Sequence, residues 1–172
     1  TFASTSGTHT CAQCGSGTVS KTGATMCTEC DAGTYESNNV DCLPCSIGTF
    51  ASTSGTHTCA QCGSGTMSQA GATLCTECDS GTYESNHQEC LLCPFGKFQA
   101  YKGAGSNTAC TVAPPGKFVS TQGSSIADIC AAGTFSLNDG SVECVICKAG
   151  TYSSVGASGC TICAFGSISR DA

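Results

Sequence analysis

Apolar side chains in this sequence occur one at a time, between glycines and hydroxyl-bearing residues. No stretch shows the i, i+3, i+4, i+7 spacing of an amphipathic helix, so we expect almost no helix. An apolar or aromatic residue instead recurs after a glycine and a Thr, Lys or Ser, as in GSGTV ending at Val19 and DAGTY ending at Tyr35. Glycine permits a tight bend, and threonine and aromatic residues favour strands. The pattern predicts short strands that each begin at a glycine bend.

A second glycine follows most of these strands, in motifs such as KTGAT, QAGAT, LNDGS and SVGAS. Two short strands joined by a turn, with a cysteine at either end, would form a small cross-linked hairpin. We expect one aromatic or aliphatic residue per hairpin to pack against the disulfide and the next hairpin. That position holds Val19, Tyr35, Phe50, Met67, Tyr83, Phe98, Phe118, Phe135, Tyr152 and Ile168.

The chain is repetitive at two lengths. The segment TFASTSGTHTCAQCGSGT at 1–18 recurs unchanged at 49–66, an offset of 48 residues. Within a block, the second cysteines of successive C-x-x-C doublets from Cys14 to Cys93 lie 16, 15, 17, 16 and 15 residues apart. Fixed-period repeats are typical of solenoids. We therefore predict a small disulfide-rich fold, mostly irregular with short β-hairpins, arranged as an elongated solenoid-like rod of modules of about 16 residues.

The same spacing divides the chain into segments. These are a partial module at 1–13, a three-module block at 14–61, a second three-module block with a longer last module at 62–112, a module without its own disulfide at 113–129, two modules at 130–162 and a partial module at 163–172.

The composition explains why cross-links are needed. The chain has 18 cysteines in 172 residues, no tryptophan and only 10% charged residues. It cannot bury a sizeable apolar core, so disulfides must supply stability that packing does not. Cysteine-dense chains of this kind belong to oxidising compartments, which predicts an extracellular or cell-surface location.

Two alanines indicate how the cysteines pair. Eight doublets are complete, but the one that starts at Cys110 has Ala113 as its second member, and the one that ends at Cys130 has Ala127 as its first. Pairing within doublets, or interleaved between them, would leave both remaining cysteines without partners. Pairing the second cysteine of one doublet with the first of the next removes one bond cleanly, since positions 113 and 127 would be partners.

This third scheme predicts the disulfides Cys14–Cys27, Cys30–Cys42, Cys45–Cys59, Cys62–Cys75, Cys78–Cys90, Cys93–Cys110, Cys130–Cys144 and Cys147–Cys160. Cys11 and Cys163 have no partner within the chain under this scheme. We expect a partner for Cys11 upstream and one for Cys163 downstream, or bonds from both to neighbouring chains.

The doublets also have the spacing of a four-cysteine zinc site, as in Cys11-x2-Cys14-x12-Cys27-x2-Cys30. The set at 110, 113, 127 and 130 would keep only two ligands, so we favour disulfides over zinc. A thioredoxin-like redox role needs a βαβ context, which the pattern does not contain.

Other candidate residues indicate no catalysis. His9 and His57 lie in identical TSGTHT segments and His87 in a third loop, and we expect all three to be exposed. We interpret the acidic residues as solvating charges rather than calcium ligands; these are Glu29, Asp31 and Glu36, with Glu77, Asp79 and Glu84 in the second block. We predict that the protein is not an enzyme and has no catalytic residues, cofactor or metal site.

Charge and hydropathy limit the partners. The net charge is −6 and the six basic residues are scattered, which argues against nucleic-acid binding. No apolar run in this segment approaches a membrane span. No N-glycosylation sequon occurs, but the clusters Ser4-Thr5-Ser6 and Ser52-Thr53-Ser54 are candidate sites for O-linked glycans. We expect the main partners to be copies of the protein itself or neighbouring repeats.

The skeleton of CKAGTYSSVGASGCTIC at Cys147 to Cys163 resembles the ephrin-receptor-like cysteine-rich repeat and the one-disulfide module of tumour-necrosis-factor receptors. The resemblance covers nearly the whole chain. It implies that the cysteine before x-x-Gly bonds to the next cysteine along, which agrees with the third scheme. The departures are the alanine pair, the longer spacing from Cys93 to Cys110, and Val19, Met67 and Ile168 at the aromatic position.

Repeats of this kind occur in receptors, adhesive proteins and surface-coat proteins, so two functions are compatible with the pattern. The first is an extracellular structural rod that serves as a spacer, coat or filament. The second is a segment of a receptor or adhesin ectodomain that binds a protein ligand. Binding sites concentrate aromatic and arginine anchors, whereas the only arginine here is Arg170. We therefore favour the rod.

Overall fold

The computed structural model describes residues 10–168 of the chain. The strands in this range, each of two or four residues, are β1 (Thr18–Val19), β2 (Thr28–Glu29), β3 (Thr34–Ser37), β4 (Asp41–Pro44), β5 (Thr49–Phe50), β6 (Ala60–Gln61), β7 (Thr66–Met67), β8 (Thr76–Glu77), β9 (Thr82–Ser85), β10 (Glu89–Leu92), β11 (Lys97–Phe98), β12 (Thr111–Val112), β13 (Lys117–Phe118), β14 (Asp128–Ile129), β15 (Thr134–Phe135), β16 (Val145–Ile146), β17 (Thr151–Tyr152) and β18 (Thr161–Ile162). The helical content of the described chain is one 3₁₀ turn, Asn107–Ala109. The predicted disulfide-rich fold of short strands with almost no helix is confirmed.

Consecutive strands pair into two-stranded hairpins, which we number 1 to 9 from β1–β2 to β17–β18. In hairpin 1, for example, Thr18 pairs with Glu29 and Val19 pairs with Thr28. The backbone N–H of Cys30, just after β2, donates to the carbonyl of Gly17, just before β1, at 3.1 Å. An equivalent hydrogen bond closes the base of hairpins 2, 3, 5, 7, 8 and 9 next to a cysteine, and that of hairpin 6 next to Ala113.

A glycine with positive φ precedes the first strand of every hairpin, and we call these residues the entry glycines. Gly81, with φ of 83°, is typical. The following Thr82 donates both its backbone N–H (3.0 Å) and its hydroxyl (2.7 Å) to the carbonyl of Asp79. The Gly-Thr motif thus closes a turn twice, through main chain and side chain, which fixes the direction of the first strand.

Hairpins 2 and 5 turn without glycine. Asn38 and Asn39 both have positive φ, at 54° and 57°, and the N–H of Val40 donates to the carbonyl of Ser37 at 3.1 Å. Asn86 and His87 have the same geometry in hairpin 5. Two consecutive positive φ values define a type I′ turn, whose twist matches that of the flanking strands. This tighter turn accompanies the longer, four-residue strands of both hairpins.

The chain divides into two compact units. Unit 1 comprises Thr1–Glu77 and Ser85–Glu89, and unit 2 comprises Cys78–Glu84 and Cys90–Ala172. Each unit contains a series of hairpins with the same internal construction.

The buried position in each hairpin lies one residue beyond the aromatic position. We call it the inner residue; its members are Ser20, Glu36, Ala51, Ser68, Glu84, Gln99, Val119, Ser136 and Ser153. Most of these side chains are buried, whereas the preceding aromatic or aliphatic residue is only half-buried and Tyr152 is exposed. Apolar packing at the aromatic position is therefore not the main burial in the repeat. Small or hydrogen-bonding side chains occupy its interior.

Candidate functional site

The cysteines are joined in the third of the three schemes. Eight disulfides run from Cys14–Cys27 to Cys147–Cys160, each between the second cysteine of one doublet and the first of the next, with Cα–Cα distances of 5.4–5.8 Å. The second cysteines from Cys14 to Cys130 are buried, whereas Cys147 and the first cysteines other than Cys110 are partly exposed. Six of the disulfides therefore run from the interior to the surface, whereas Cys93–Cys110 is buried at both ends and Cys147–Cys160 is partly exposed at both.

Hairpin 7 lacks a disulfide but keeps the backbone geometry of the others. The N–H of Ala113 donates to the carbonyl of Gly96 at 2.9 Å, and the Ala113 carbonyl accepts from Gly140 at 2.8 Å. Cysteines make the same two bonds elsewhere, as when Cys130 donates to Gly116 and accepts from Gly156. Ala113 is fully buried. The inner residue of this hairpin, Val119, is the largest fully buried side chain in the described chain.

Neighbouring hairpins within each unit are joined by a repeated pair of backbone hydrogen bonds. An entry glycine donates to the carbonyl of the next hairpin's inner residue, as Gly48 does to Ser68 at 3.1 Å. The N–H of an inner residue donates to a loop carbonyl of the next hairpin, as Ala51 does to Ala72 at 3.1 Å. Both bonds use only main-chain atoms, so they place few demands on side-chain identity.

Loop glycines make the third recurring contact. Gly123 in the loop of hairpin 7 donates its N–H to the carbonyl of Cys93 at 2.9 Å. Its own backbone lies so close to Gly81 that a side chain at position 81 would overlap the Gly123 carbonyl. Gly33 and Gly71 make the equivalent contact in unit 1. Entry glycines such as Gly33 and Gly81 are therefore needed both for their positive φ and for close backbone approach.

Serine at the inner position adds a side-chain bond to the same interface. The hydroxyl of Ser68 donates to the carbonyl of Thr49 in the preceding hairpin at 2.9 Å. Ser136 and Ser153 repeat this bond in unit 2, at 2.9 Å and 2.8 Å. A buried hydroxyl is thus satisfied by a strand carbonyl of the preceding hairpin.

Glu36 is not the solvating charge that the sequence indicated. It is the inner residue of hairpin 2 and only 6% exposed, and Glu84 in hairpin 5 is only 7% exposed. The carboxylate of Glu36 accepts from the N–H of Asn39 at 2.6 Å and contacts Nδ1 of His57 at 2.8 Å. The Asn39 hydrogen bond, followed by that of His57, holds the pKa of Glu36 below its usual value, while burial opposes the shift.

His57 was expected to be an exposed loop histidine. Its side chain is 62% exposed, but it forms an ion pair with buried Glu36 when it is protonated. The signal that was missed is register: the inner position places Glu36 opposite the loop of the next hairpin, 21 residues later in the chain. This pair links hairpins 2 and 3.

The remaining acidic candidates lie on the surface. Glu29, Asp31, Glu77 and Asp79 are exposed, and Asp79 pairs with the Lys102 ammonium at 2.7 Å. Among the described residues, no three His, Cys, Asp or Glu side chains are grouped so as to hold a metal ion. A surface groove of about 740 Å³ in unit 2 includes Tyr152 and Ile168, and its described lining contains no carboxylate or histidine.

Cys11 is exposed and Cys163 partly exposed, and both are free thiols in the structure. The Ser52-Thr53-Ser54 cluster is exposed, as an O-glycosylation site requires. His9 and the Ser4-Thr5-Ser6 cluster lie outside the described residues, as does Arg170. Within residues 10–168, no helix is long and apolar enough to cross a membrane.

The last residue of every second strand is exposed and forms a series along each unit. In unit 1 these residues are Glu29, Pro44, Gln61 and Glu77. In unit 2 they are Leu92, Val112, Ile129, Ile146 and Ile162, which we call the outer row. The position is thus polar or proline in unit 1 and uniformly aliphatic in unit 2, although the surrounding backbone is the same.

Serial disulfides, repeated backbone bonds and small inner residues define a tandem cysteine-rich repeat of the extracellular type. Comparison with known families agrees: residues 65–110 match the model of the family described as tyrosine-protein kinase ephrin type A/B receptor-like. The matched segment contains the disulfides Cys78–Cys90 and Cys93–Cys110. The resemblance to ephrin-receptor-like repeats is therefore confirmed. A search of curated proteins finds no match to the chain.

Proposed function

We propose that this protein is an extracellular structural repeat protein, in which serial hairpins form a disulfide-linked rod that serves as a spacer, surface coat or filament. The observation that carries the proposal is the repeated main-chain bonding between neighbouring hairpins. In unit 1, Gly33 donates to Ala51 and Gly48 donates to Ser68; in unit 2, Gly96 donates to Val119 and Gly116 donates to Ser136.

Such bonding suits a protein whose role depends on length. Each hairpin contacts its neighbours through backbone atoms and glycines, so further copies can be added without designing a new interface. Hairpins 1–3 and 4–6 share most of their sequence, as expected from duplication of a block. Disulfides then keep eight of the nine hairpins folded where the apolar core is small. These features support a mechanical rather than a catalytic role.

The alternative is a segment of a receptor or adhesin ectodomain. The matched family model takes its name from receptors, which supports this alternative. The outer row of unit 2 also offers an apolar surface to a partner. Against it, the loop positions that repeat most regularly are occupied by glycines, and five of the nine inner positions by serine or alanine, which seldom serve as binding anchors.

Small-angle scattering of the oxidised monomer tests the proposed rod. A compact globule of this chain length has a radius of gyration of about 16 Å. Modules stacked at about 10 Å each would give a rod of roughly 100 Å, with a radius of gyration of about 29 Å. We expect a value near the second figure. A value near the first would refute the rod and leave the ectodomain alternative.

A further inference from the structure

The outer row of unit 2 differs from its counterpart in unit 1 in chemistry alone. All five members are well exposed, from 41% at Val112 to 79% at Ile162. They recur once per hairpin, at the same position of hairpins 5 to 9. An exposed aliphatic side chain is ordinary when it occurs singly, but a series on one surface indicates a contact.

Unit 1 shows that the fold does not need aliphatic residues at this position. A Cβ added to the loop glycine Gly55 would lie 3.7 Å from the side chain of Glu29. One added to Gly156 would lie 3.3 Å from the side chain of Ile129. Glutamate and isoleucine therefore occupy the same place against the same kind of loop. Because the fold accepts either residue, its stability does not explain the aliphatic series in unit 2.

The two units also differ in net charge, and unit 1 is again the more strongly charged of the two. Unit 1 contains six acidic side chains and one lysine, a net charge of −5, whereas unit 2 contains six acidic and five basic side chains, a net charge of −1. Glu29 and Glu77 belong to the series in unit 1, but no member of the outer row is charged. Two copies of unit 2 therefore meet much less like-charge repulsion on approach through this surface than two copies of unit 1 would.

We propose, on the basis of the structural role inferred above, that the outer row is a self-association surface that packs against the same row of a second copy of this chain. The row repeats with the hairpin period, so a partner with the same period can contact all its members at once. A second copy has that period by construction, and a two-fold axis brings identical patches together. The contact buries aliphatic side chains from both copies.

A pair of matched variants tests this surface in the full oxidised chain. The row variant carries Val112→Gln, Ile129→Glu and Ile146→Gln, which are residue types that unit 1 holds at the same position. The control variant carries Ile126→Gln, Leu137→Glu and Val155→Gln, which replace aliphatic residues of unit 2 that are 62–66% exposed and lie outside the row. Both variants change net charge equally. Peptide mapping without reduction verifies that each retains the eight disulfides.

Sedimentation velocity over a concentration series measures the association. We expect the unmodified chain to dimerise, the row variant to bind itself at least about tenfold more weakly, and the control variant to match the unmodified chain. A chain that stays monomeric at all concentrations overturns the proposal. So does a row variant that associates as well as the control. Scattering from the monomeric row variant tests the rod separately, so the two proposals can fail independently.

Photo-crosslinking locates the contact. With p-benzoylphenylalanine in place of Ile146, illumination of the dimer should produce inter-chain crosslinks to Val112, Ile129, Ile146 or their neighbours in the row. Crosslinks between copies that map only to unit 1, or only to the loops of unit 2, overturn the proposed surface.

Discussion

A disulfide restored to hairpin 7 should form without disturbing the repeat. Ala113 and Ala127 are separated by 14 residues, the same separation as Cys45–Cys59 and Cys130–Cys144. The backbone of Ala113 already makes the hydrogen bonds that the cysteines make in other hairpins. The double variant Ala113→Cys/Ala127→Cys therefore needs little backbone adjustment to reach the spacing of a disulfide.

The expected gain follows from loop closure. A disulfide that closes a loop of about 15 residues stabilises the folded state by roughly 3 kcal/mol in the chain-entropy model. Hairpin 7 is the only hairpin in residues 14–162 without such a bond, so its local opening should be the least costly. At about 1.4 kcal/mol for each factor of ten, its amides should exchange on the order of a hundredfold more slowly in the variant.

Hydrogen exchange measured by mass spectrometry on peptides from 111–129 tests this expectation. Ala113→Ser/Ala127→Ser serves as the control, since it adds a similar polar atom at each site without a covalent bond. The slowing should be confined to hairpin 7. If mapping shows the new bond in place and exchange in 111–129 is unchanged, the estimate from loop closure is wrong. If both new cysteines remain free or exchange partners, the geometric equivalence of the alanines is wrong.

Three smaller changes test the interior of the repeat. Val119→Ala should destabilise hairpin 7 by about 2 kcal/mol through the cavity it leaves, measured by faster exchange in the same peptides. Gly81→Ala should lower the free energy of unfolding by more than about 1–3 kcal/mol, because the strain of positive φ adds to the overlap with the Gly123 carbonyl. The control, Gly63→Ala, changes an open position and should lower it little. Thermal unfolding measures both. The lowered pKa of Glu36 means that its stabilising effect is present above the usual value near 4.5 and is lost as the pH falls through the lowered value. Glu36→Gln should therefore reduce the loss of stability in acid, and identical acid titrations of the two proteins would contradict this account.

The sequence was informative where one residue type has one physical role. Cysteine spacing and the two alanines were sufficient for the pairing scheme, because each alternative left Cys110 and Cys130 without partners. The glycine before each strand predicted a bend, since few other residues adopt positive φ. Hairpin boundaries followed from these two signals.

The contacts between hairpins could not be predicted in the same way. Whether Glu36 is buried depends on the register between hairpins 2 and 3, and no local pattern encodes that register. The aromatic residue was expected to be the buried one because it is the most apolar. The smaller residue after it is buried instead, because it forms hydrogen bonds with the neighbouring hairpin. The Asn38-Asn39 turn was missed because asparagine adopts positive φ only in specific settings.

The serial disulfides also determine how the chain would carry tension. A pull applied at Cys14 and Cys160 passes through each disulfide and bypasses the loop it closes. A cross-linked hairpin therefore contributes only the three residue steps of its doublet, which span about 10 Å when fully drawn out. Between Cys110 and Cys130 there is no such bypass, and the covalent path runs through all 20 residue steps. Fully drawn out, that stretch spans about 70 Å. Hairpin 7 is therefore the most extensible element of the tether, held closed by backbone hydrogen bonds and one buried valine.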